Sequence, residues 1–217
     1  MNVTVIIPTL DEEENISKLM GQIKYPVLVV DDGSLDKTQD IVTRSKAGLL
    51  DRSGSKTHGL TVSAMEGICT VKTKYFVVMD ADFQHPPDKL DEICEQLRSN
   101  DIVIGVRRDV KGWPISRKII SKGAEILARF RLLHKFPRIK DPLSGFFGGD
   151  SEFCKKIIVS HGKNFEKKGY KILFELLKYC PKNAKIGYVY YNFGLREKGE
   201  SKIGIKHILL FLKSIFK

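Results

Sequence analysis

The stretch Tyr75-Phe76-Val77-Val78-Met79-Asp80-Ala81-Asp82 decides the fold of this 217-residue chain. Its apolar residues run without a polar interruption. An unbroken run marks a strand buried on both faces, as in a parallel sheet covered by helices. The run stops at two carboxylates, two residues apart. In open α/β sheets ligands bind outside the carboxyl ends of strands. The same eight residues therefore point to a site as well as a fold. Gln84 adds an oxygen donor, and Pro86-Pro87 stiffen the segment before the next helix.

The pattern repeats outward. Val3–Pro8, Pro26–Val30 and Ala47–Leu50 read as strands, as does Asp101–Val106. Between them Glu12–Ile23 places Ile16, Leu19, Met20 and Ile23 at helical spacing. Asp36–Ser45, Leu60–Thr70 and Asp88–Ser99 read as further helices. Such alternation predicts an α/β domain with a mostly parallel sheet flanked by helices. After residue 106 the pattern changes. Ser116–Leu133 reads as a basic amphipathic helix, Asp141–Gly149 is Gly-rich, and Ser151–His161 and Gly169–Tyr179 read as helices. Ile186–Phe193 reads as one more strand. Ile205–Phe216 predicts an amphipathic helix, too short and charged to span a bilayer but suited to an interface.

The net charge of +11 is unevenly placed. Residues 1–106 sum to −6, residues 107–140 to +9 and residues 141–217 to +8. A basic back half points to an anionic partner: nucleic acid, anionic lipid or a phosphorylated small molecule. No apolar run reaches the ~18 residues of a membrane span. Met1–Leu10 lacks a basic flank and runs into Asp11 and three glutamates, unlike a signal peptide. Cys69, Cys94, Cys154 and Cys180 form no CxxC pair, so they read as reduced thiols. One domain over 1–217 is expected.

Asp80 and Asp82 at a strand end can aim at one hard cation that bridges diphosphate oxygens. The plain alternative is one helix cap and one solvated acid. Asp31-Asp32-Gly33-Ser34 closes another buried strand. Gly33 permits a tight turn and Ser34 or Asp36 can cap the next helix, which leaves a second acid for a base or ribose. His58-Gly59-Leu60 reads either as a helix start beside a ligand or as a Gly-punctuated turn. No GxGxxG or Walker lysine loop is present, which disfavours dinucleotide and P-loop chemistry. Arg107, Arg108, Arg117, Ser121 and Arg129 are candidate oxyanion partners, with Arg117 and Ser121 on one helix face. For any one of them a solvated basic face is the simpler account. Arg196, Ser201 and Lys202 suit an anion site before the last helix, or a basic loop.

In chain order these blocks resemble the dolichyl-phosphate mannose synthases, inverting family 2 glycosyltransferases of GT-A fold. The resemblance rests on Val5–Glu12, Asp31–Ser34, Asp80-Ala81-Asp82-Phe83-Gln84-His85-Pro86-Pro87, Ser116–Ser121, Asp141–Phe146, Gly169–Lys171 and Arg196–Lys202. It covers nearly the whole chain. Leu10-Asp11 stands where the family usually has Tyr-Asn, and Thr61 where a second glycine is common. The resemblance implies sugar transfer, usually mannose from GDP-mannose, onto a polyprenyl or dolichyl phosphate with a divalent metal. It implies that Pro8, Leu10, Glu12, Asp32, Asp80, Ala81 and Asp82 contact the nucleotide sugar. Asp80, Asp82 and Gln84 would hold Mg²⁺ or Mn²⁺. Arg107, Arg117 and Ser121 would hold the acceptor phosphate, and Lys171, Arg196 and Lys202 would close on the diphosphates. Asp82, Arg107 and Arg117 would then carry the catalysis. Residues 1–106 form the donor half and 107–217 the acceptor half. Peripheral contact with the cytoplasmic face of a membrane is expected, and no nucleic acid. Some members add transmembrane helices near where this chain ends.

A phosphate monoester is mostly dianionic at pH 7, with a second pKa of about 6, and needs no general base. The enzyme must align it, stabilise the departing diphosphate and hold two repelling anions together. Three alternatives stay open: a UDP-glucose-dependent sister enzyme, a family 2 transferase with a hydroxyl acceptor and Asp141 or Glu175 as base, and a non-catalytic polyanion- or lipid-binding module.

Overall fold

A computed structural model of the chain describes residues 2–108, 110, 114–194 and 205–216. Seven strands form one sheet: β1 (Val3–Thr9), β2 (Val27–Asp31), β3 (Gly48–Asp51), β4 (Tyr75–Val78), β5 (Ile102–Arg108), β6 (Phe147–Asp150) and β7 (Ile186–Asn192). Their order is β3-β2-β1-β4-β6-β5-β7. Neighbours pair in parallel except around β6, which runs antiparallel to both β4 and β5. The helices are α1 (Glu13–Gln22), α2 (Thr38–Thr43), α3 (Leu60–Thr70), α4 (Leu90–Gln96), α5 (Ile115–Leu132), α6 (Ser151–His161), α7 (Ile172–Tyr179) and α8 (Ile205–Phe216).

The unbroken apolar runs are explained by two cores, one on each sheet face. Val5, Ile7, Val29 and Val77 pack with Ile16 and Leu19 of α1 and Ile93 of α4. Ile6, Val30, Phe76 and Ile104 pack on the other face with Ile68 of α3 and with Leu173 and Leu176 of α7. Alternate residues of one strand thus enter different cores, and neither side faces water.

One sequence expectation fails here. Within the Gly-rich stretch Asp141–Gly149, where no strand is expected, β6 begins at Phe147 and lies inside the sheet between β4 and β5. Its glycines are set by close approach. A Cβ on Gly148 would lie 2.9 Å from Ile93 and Leu97, and one on Gly149 2.9 Å from Cys154 Sγ and the Phe76 ring. Glycine in a strand interior marks such an approach. The helix expected from Gly169 begins only at Ile172.

Helix α5 buries just Ala128 and Leu132, while Ile115, Ile119 and Phe130 remain 77%, 67% and 76% exposed. Helix α8 buries Phe211, Ser214 and Ile215 and exposes Leu209 and Phe216. Its polar anchors are internal. Lys178 Nζ donates to Ser214 O at 2.8 Å, Arg131 Nε donates to Ile215 O at 3.0 Å, and Ser214 Oγ donates to Glu175. Among the described residues no helix is long and apolar enough to cross a membrane. The four cysteines are free thiols.

Candidate active site

Strands β1, β2 and β4 end together on one edge, and a cavity of about 790 Å³ opens beyond them. Pro8, Leu10, Glu12, Asp32, Asp80, Ala81, Asp82 and Gln84 all line it. So do Arg107, Arg117, Ser121 and Lys171. The acidic block and the basic block of the sequence therefore face one space. Arg196, Ser201 and Lys202 lie outside the described residues. Arg108 sits apart, 4.2 Å from the centre of the Tyr190 ring.

The two aspartates after β2 have separate tasks. Asp31 is fully buried and accepts from Thr9 Oγ1 at 2.9 Å, Ser34 N at 2.9 Å and Gln39 Nε2 at 2.7 Å. It closes the turn. Asp32 reaches the cavity, but its carboxylate is bound from behind. Arg52 Nη1 pairs with Oδ1, and Gly59 N donates to Oδ2 at 2.7 Å. Gly59 has φ +142°, and a Cβ there would meet Lys167 O at 3.1 Å. His58-Gly59-Leu60 is thus a helix start packed beside the cavity. Arg52 was not legible as a site residue, since a lone arginine in a loop gives no sign of burial. It is buried, and it also bonds Glu66 Oε2 at 2.8 Å and Ser63 Oγ at 3.0 Å.

The Asp80–His85 turn is built tightly. Asp82 Oδ1 accepts from Gln84 N at 3.0 Å, and Gln84 Nε2 donates to Gly194 O at 3.3 Å. Phe83 between them has φ +64°, a costly conformation for a bulky residue, of a kind concentrated at functional sites. Asp80 N donates to His85 Nδ1 at 2.9 Å. That bond places the imidazole proton on Nε2. The ring is buried and stacked on Phe146, with centroids 5.2 Å apart. Burial pushes the His85 pKa down to about 4, and nearby Arg107 and Lys171 oppose the pull of Asp82. His85 is therefore a neutral brace for the aspartate turn. The histidine is part of a motif legible in the chain, but only the fold shows what it supports.

Arg107 at the end of β5 is clamped by Asp141. Nε lies 2.8 Å from Oδ2, Nη2 lies 2.6 Å from Oδ1, and the Arg107 N–H donates to Oδ2 at 3.1 Å. Burial opposes both charges, and the mutual attraction outweighs it: the guanidinium stays charged and the carboxyl is held below its usual range. Lys171 stands beside them, its Nζ donating to Leu143 O at 2.7 Å. Burial, with Arg107 and Arg117 nearby, pushes its pKa down to about 7 against the pull of Asp141 and Asp80. Glu175 lies elsewhere, buried 3.0 Å from Lys178 Nζ. Ile120, Leu127, Ile208, Phe211 and Leu212, from α5 and α8, give the cavity an apolar wall.

Two carboxylates and one amide oxygen make a sparse donor set. Among the described residues no three His, Cys, Asp or Glu side chains gather as a metal cage. Such a set fits a hard cation that completes its shell with phosphate oxygens and water.

Comparison with known proteins agrees with this geometry. The pattern of the Glycosyl transferase family 2 family matches residues 4–158. The chain is 37% identical to the dolichol-phosphate mannosyltransferase of Pyrococcus furiosus, across all of this chain and 63% of that protein. It thus spans just under two thirds of that relative's length. It is 30% identical to the Saccharomyces cerevisiae dolichol-phosphate mannosyltransferase, across 98% of this chain and 85% of that one. The glucosyl-3-phosphoglycerate synthase of Mycobacterium tuberculosis, crystallised with Mn²⁺, UDP-glucose and phosphoglyceric acid, superposes with a TM-score of 0.64 at 16% identity. That superposition covers 99% of this chain and 80% of the synthase. With the family pattern in its sequence and this architecture in its sheet, the chain belongs to glycosyl transferase family 2 and has the GT-A fold.

Proposed function

We propose that this chain is an inverting hexosyltransferase that moves mannose from GDP-mannose onto a dolichyl or other polyprenyl phosphate. One observation carries the reading. A single cavity brings Asp80, Asp82 and Gln84 opposite Arg107, Arg117 and Lys171, with an apolar wall from α5 and α8. A nucleotide diphosphate, a second phosphate and a hydrocarbon chain need those three surfaces. The dolichol-phosphate mannosyltransferase relatives support the acceptor and the sugar.

Asp80, Asp82 and Gln84 would hold Mg²⁺ or Mn²⁺, a use consistent with the Mn²⁺ in the synthase crystal. When bound, the cation supplies charge stabilisation for the departing diphosphate. The chain's own residues do the rest. Pro8, Leu10, Glu12, Asp32 and the Ala81 backbone border the donor space. Arg52 holds Asp32 from behind, so its carboxylate keeps one direction. Arg117 and Ser121 offer a guanidinium and a hydroxyl to the acceptor phosphate, and Arg107 adds charge already shared with Asp141. Lys171 donates toward the phosphates between them. The acceptor dianion attacks the anomeric carbon in line, and the sugar–diphosphate bond breaks with inversion. No proton needs to be removed. The hydroxyl-acceptor alternative loses both of its candidate bases, because Asp141 is clamped by Arg107 and Glu175 is buried with Lys178.

The exposed apolar ridge of α5 and the outer face of α8 suit peripheral contact with a membrane, and we infer its cytoplasmic face, where nucleotide sugars are expected to be available. The test is a screen of GDP- and UDP-sugars with a polyprenyl phosphate and Mn²⁺ or Mg²⁺. Labelled mannolipid from GDP-mannose alone is the expected product. Exclusive use of UDP-glucose would replace the donor assignment, and transfer only to a hydroxyl acceptor would overturn the reading.

A further inference from the structure

A second cavity of about 430 Å³ lies beside the first and shares Arg107 and Ser121 with it, while its other cations take no part in the proposed reaction. Five cations line it: Arg107, Lys118, Lys122, Arg129 and Lys140. Its two carboxylates are already engaged. Asp141 is clamped by Arg107 at 2.6 Å, and Glu125 lies 3.0 Å from Lys122 and 3.6 Å from Arg129. That leaves three positive charges in excess. Lys118 and Lys140 have no carboxylate within salt-bridge distance among the described residues, and they come from two segments, α5 and the stretch before Asp141.

Lys140 is also pre-oriented. Its Nζ contacts the Tyr190 hydroxyl and lies 5.5 Å and 5.2 Å from the Tyr188 and Tyr190 ring centres. Aromatic faces hold an ammonium without neutralising it.

The placement on α5 narrows the ligand. At 3.6 residues per turn the helix divides into strips. Ile115, Ile119, Ile126 and Phe130 form the exposed apolar ridge. Arg117, Ile120, Ala124 and Leu127 face the large cavity on one side of it. Lys118, Lys122, Glu125 and Arg129 face the small cavity on the other side. Basic side chains beside an apolar ridge reach the headgroup level when the ridge meets lipid. An excess of three positive charges matches a phosphomonoester, which carries about −1.5 to −2 at pH 7. We propose that this small cavity binds the phosphomonoester headgroup of a second membrane lipid, separate from the acceptor. The inference rests on the membrane-surface reading above.

The experiment uses the full chain with vesicles of phosphatidylcholine alone, or doped with phosphatidic acid or with phosphatidylglycerol at matched surface charge. Polyprenyl phosphate and nucleotide sugar are absent, so failure of the transferase assignment does not affect the outcome. Binding is expected to favour phosphatidic acid over phosphatidylglycerol. The double variant Lys118→Ala, Lys140→Ala is expected to lose that preference, with affinity falling roughly fivefold per charge removed. Arg117→Ala is expected to keep it, and GDP binding by the double variant reports that the fold is intact. Equal response to the two anionic lipids would mean diffuse surface charge and overturn the cavity assignment. Loss of the preference in Arg117→Ala but not in the double variant would assign the lipid to the large cavity instead. Inorganic phosphate bound at the small cavity, with no headgroup preference, would make it a soluble-anion site and sink the lipid assignment.

Discussion

The proposed donor half, residues 1–106, and the proposed acceptor half share one sheet but are built by different rules. In the first 106 residues each site carboxylate follows a parallel strand, and tight turns hold it from several sides. Asp32 is bound by Arg52 and Gly59, and Asp82 by the Gln84 amide. In the second half the chain reverses through β6, and the cationic residues sit at the end of β5, on the half-exposed α5 and at the start of α7. A site for a small soluble nucleotide can be rigid and enclosed. A site for a phosphate on a long hydrocarbon must stay open along one side. The contrast predicts large, sharply localised effects in the donor half and smaller, separable ones in the acceptor half.

The strongest way to break the comparison is Asp82→Ala. The side chain is 2% exposed and sits at the centre of the proposed cation site. Losing charge stabilisation of the leaving group costs several kcal/mol, so kcat is expected to fall roughly a thousandfold or more. Mn²⁺ binding, followed by electron paramagnetic resonance with GDP present, is expected to weaken in parallel. A variant that keeps a tenth of its activity would remove Asp82 from the reaction. Next is Arg52→Met, which touches no substrate. It strips the cation from buried Asp32 and half-exposed Glu66, and leaving the Asp32 carboxylate without its buried partner is expected to cost about 3 kcal/mol. A urea midpoint unchanged from wild type would show that the donor half is less tightly built than its geometry implies.

These two residues also mark how far the sequence could be read. Asp82 was legible because a buried strand ends in a DxD, a local pattern. Arg52 was not, since its partners come from positions 32, 57, 63 and 66 and only the fold collects them. The parallel strands were legible for the same local reason, each being an apolar run. Strand β6 was missed because Gly148 and Gly149 carry a loop signal, while their actual cause is the closeness of Ile93, Leu97, Phe76 and Cys154. The charge block at 107–140 was legible as a block. Its division between two cavities was not, because that depends on which strip of α5 each residue occupies.

The acceptor half can be sharpened residue by residue. Arg117→Ala removes a guanidinium that offers charged hydrogen bonds of about 1.5–3 kcal/mol. The KM for polyprenyl phosphate is expected to rise roughly 10- to 100-fold while GDP affinity is unchanged. Equal losses in both would dissolve the distinction between the halves. A smaller effect concerns protons. Lys171 has its pKa lowered from 10.5 to about 7, so it is largely neutral at pH 8 and charged at pH 6. A diphosphate placed beside it favours the charged form. Calorimetry in buffers of different ionisation heat is expected to show proton uptake on GDP binding at pH 8 and none at pH 6, with Lys171→Met abolishing it. For stability the sign runs the same way. The lysine's charge opposes folding most below pH 7, and that cost fades as pH rises toward 10.5.

The smallest expected effect on the fold is the most informative about the open side. Phe130 is 76% exposed on α5, and Phe146 is fully buried between His85 and Tyr191. Replacing Phe146 by alanine should cost about 3–5 kcal/mol, as for a core phenylalanine. Phe130→Ser should shift stability by no more than about 0.5 kcal/mol, since it removes no packed contact. Its cost should appear elsewhere, as weaker binding to phosphatidylcholine vesicles, because an exposed aromatic ridge gains free energy only when something apolar covers it. If Phe130→Ser instead lowers the urea midpoint as much as Phe146→Ala does, the ridge is packed in solution. The acceptor half would then be as closed as the donor half, and a hydrocarbon chain would need another way in.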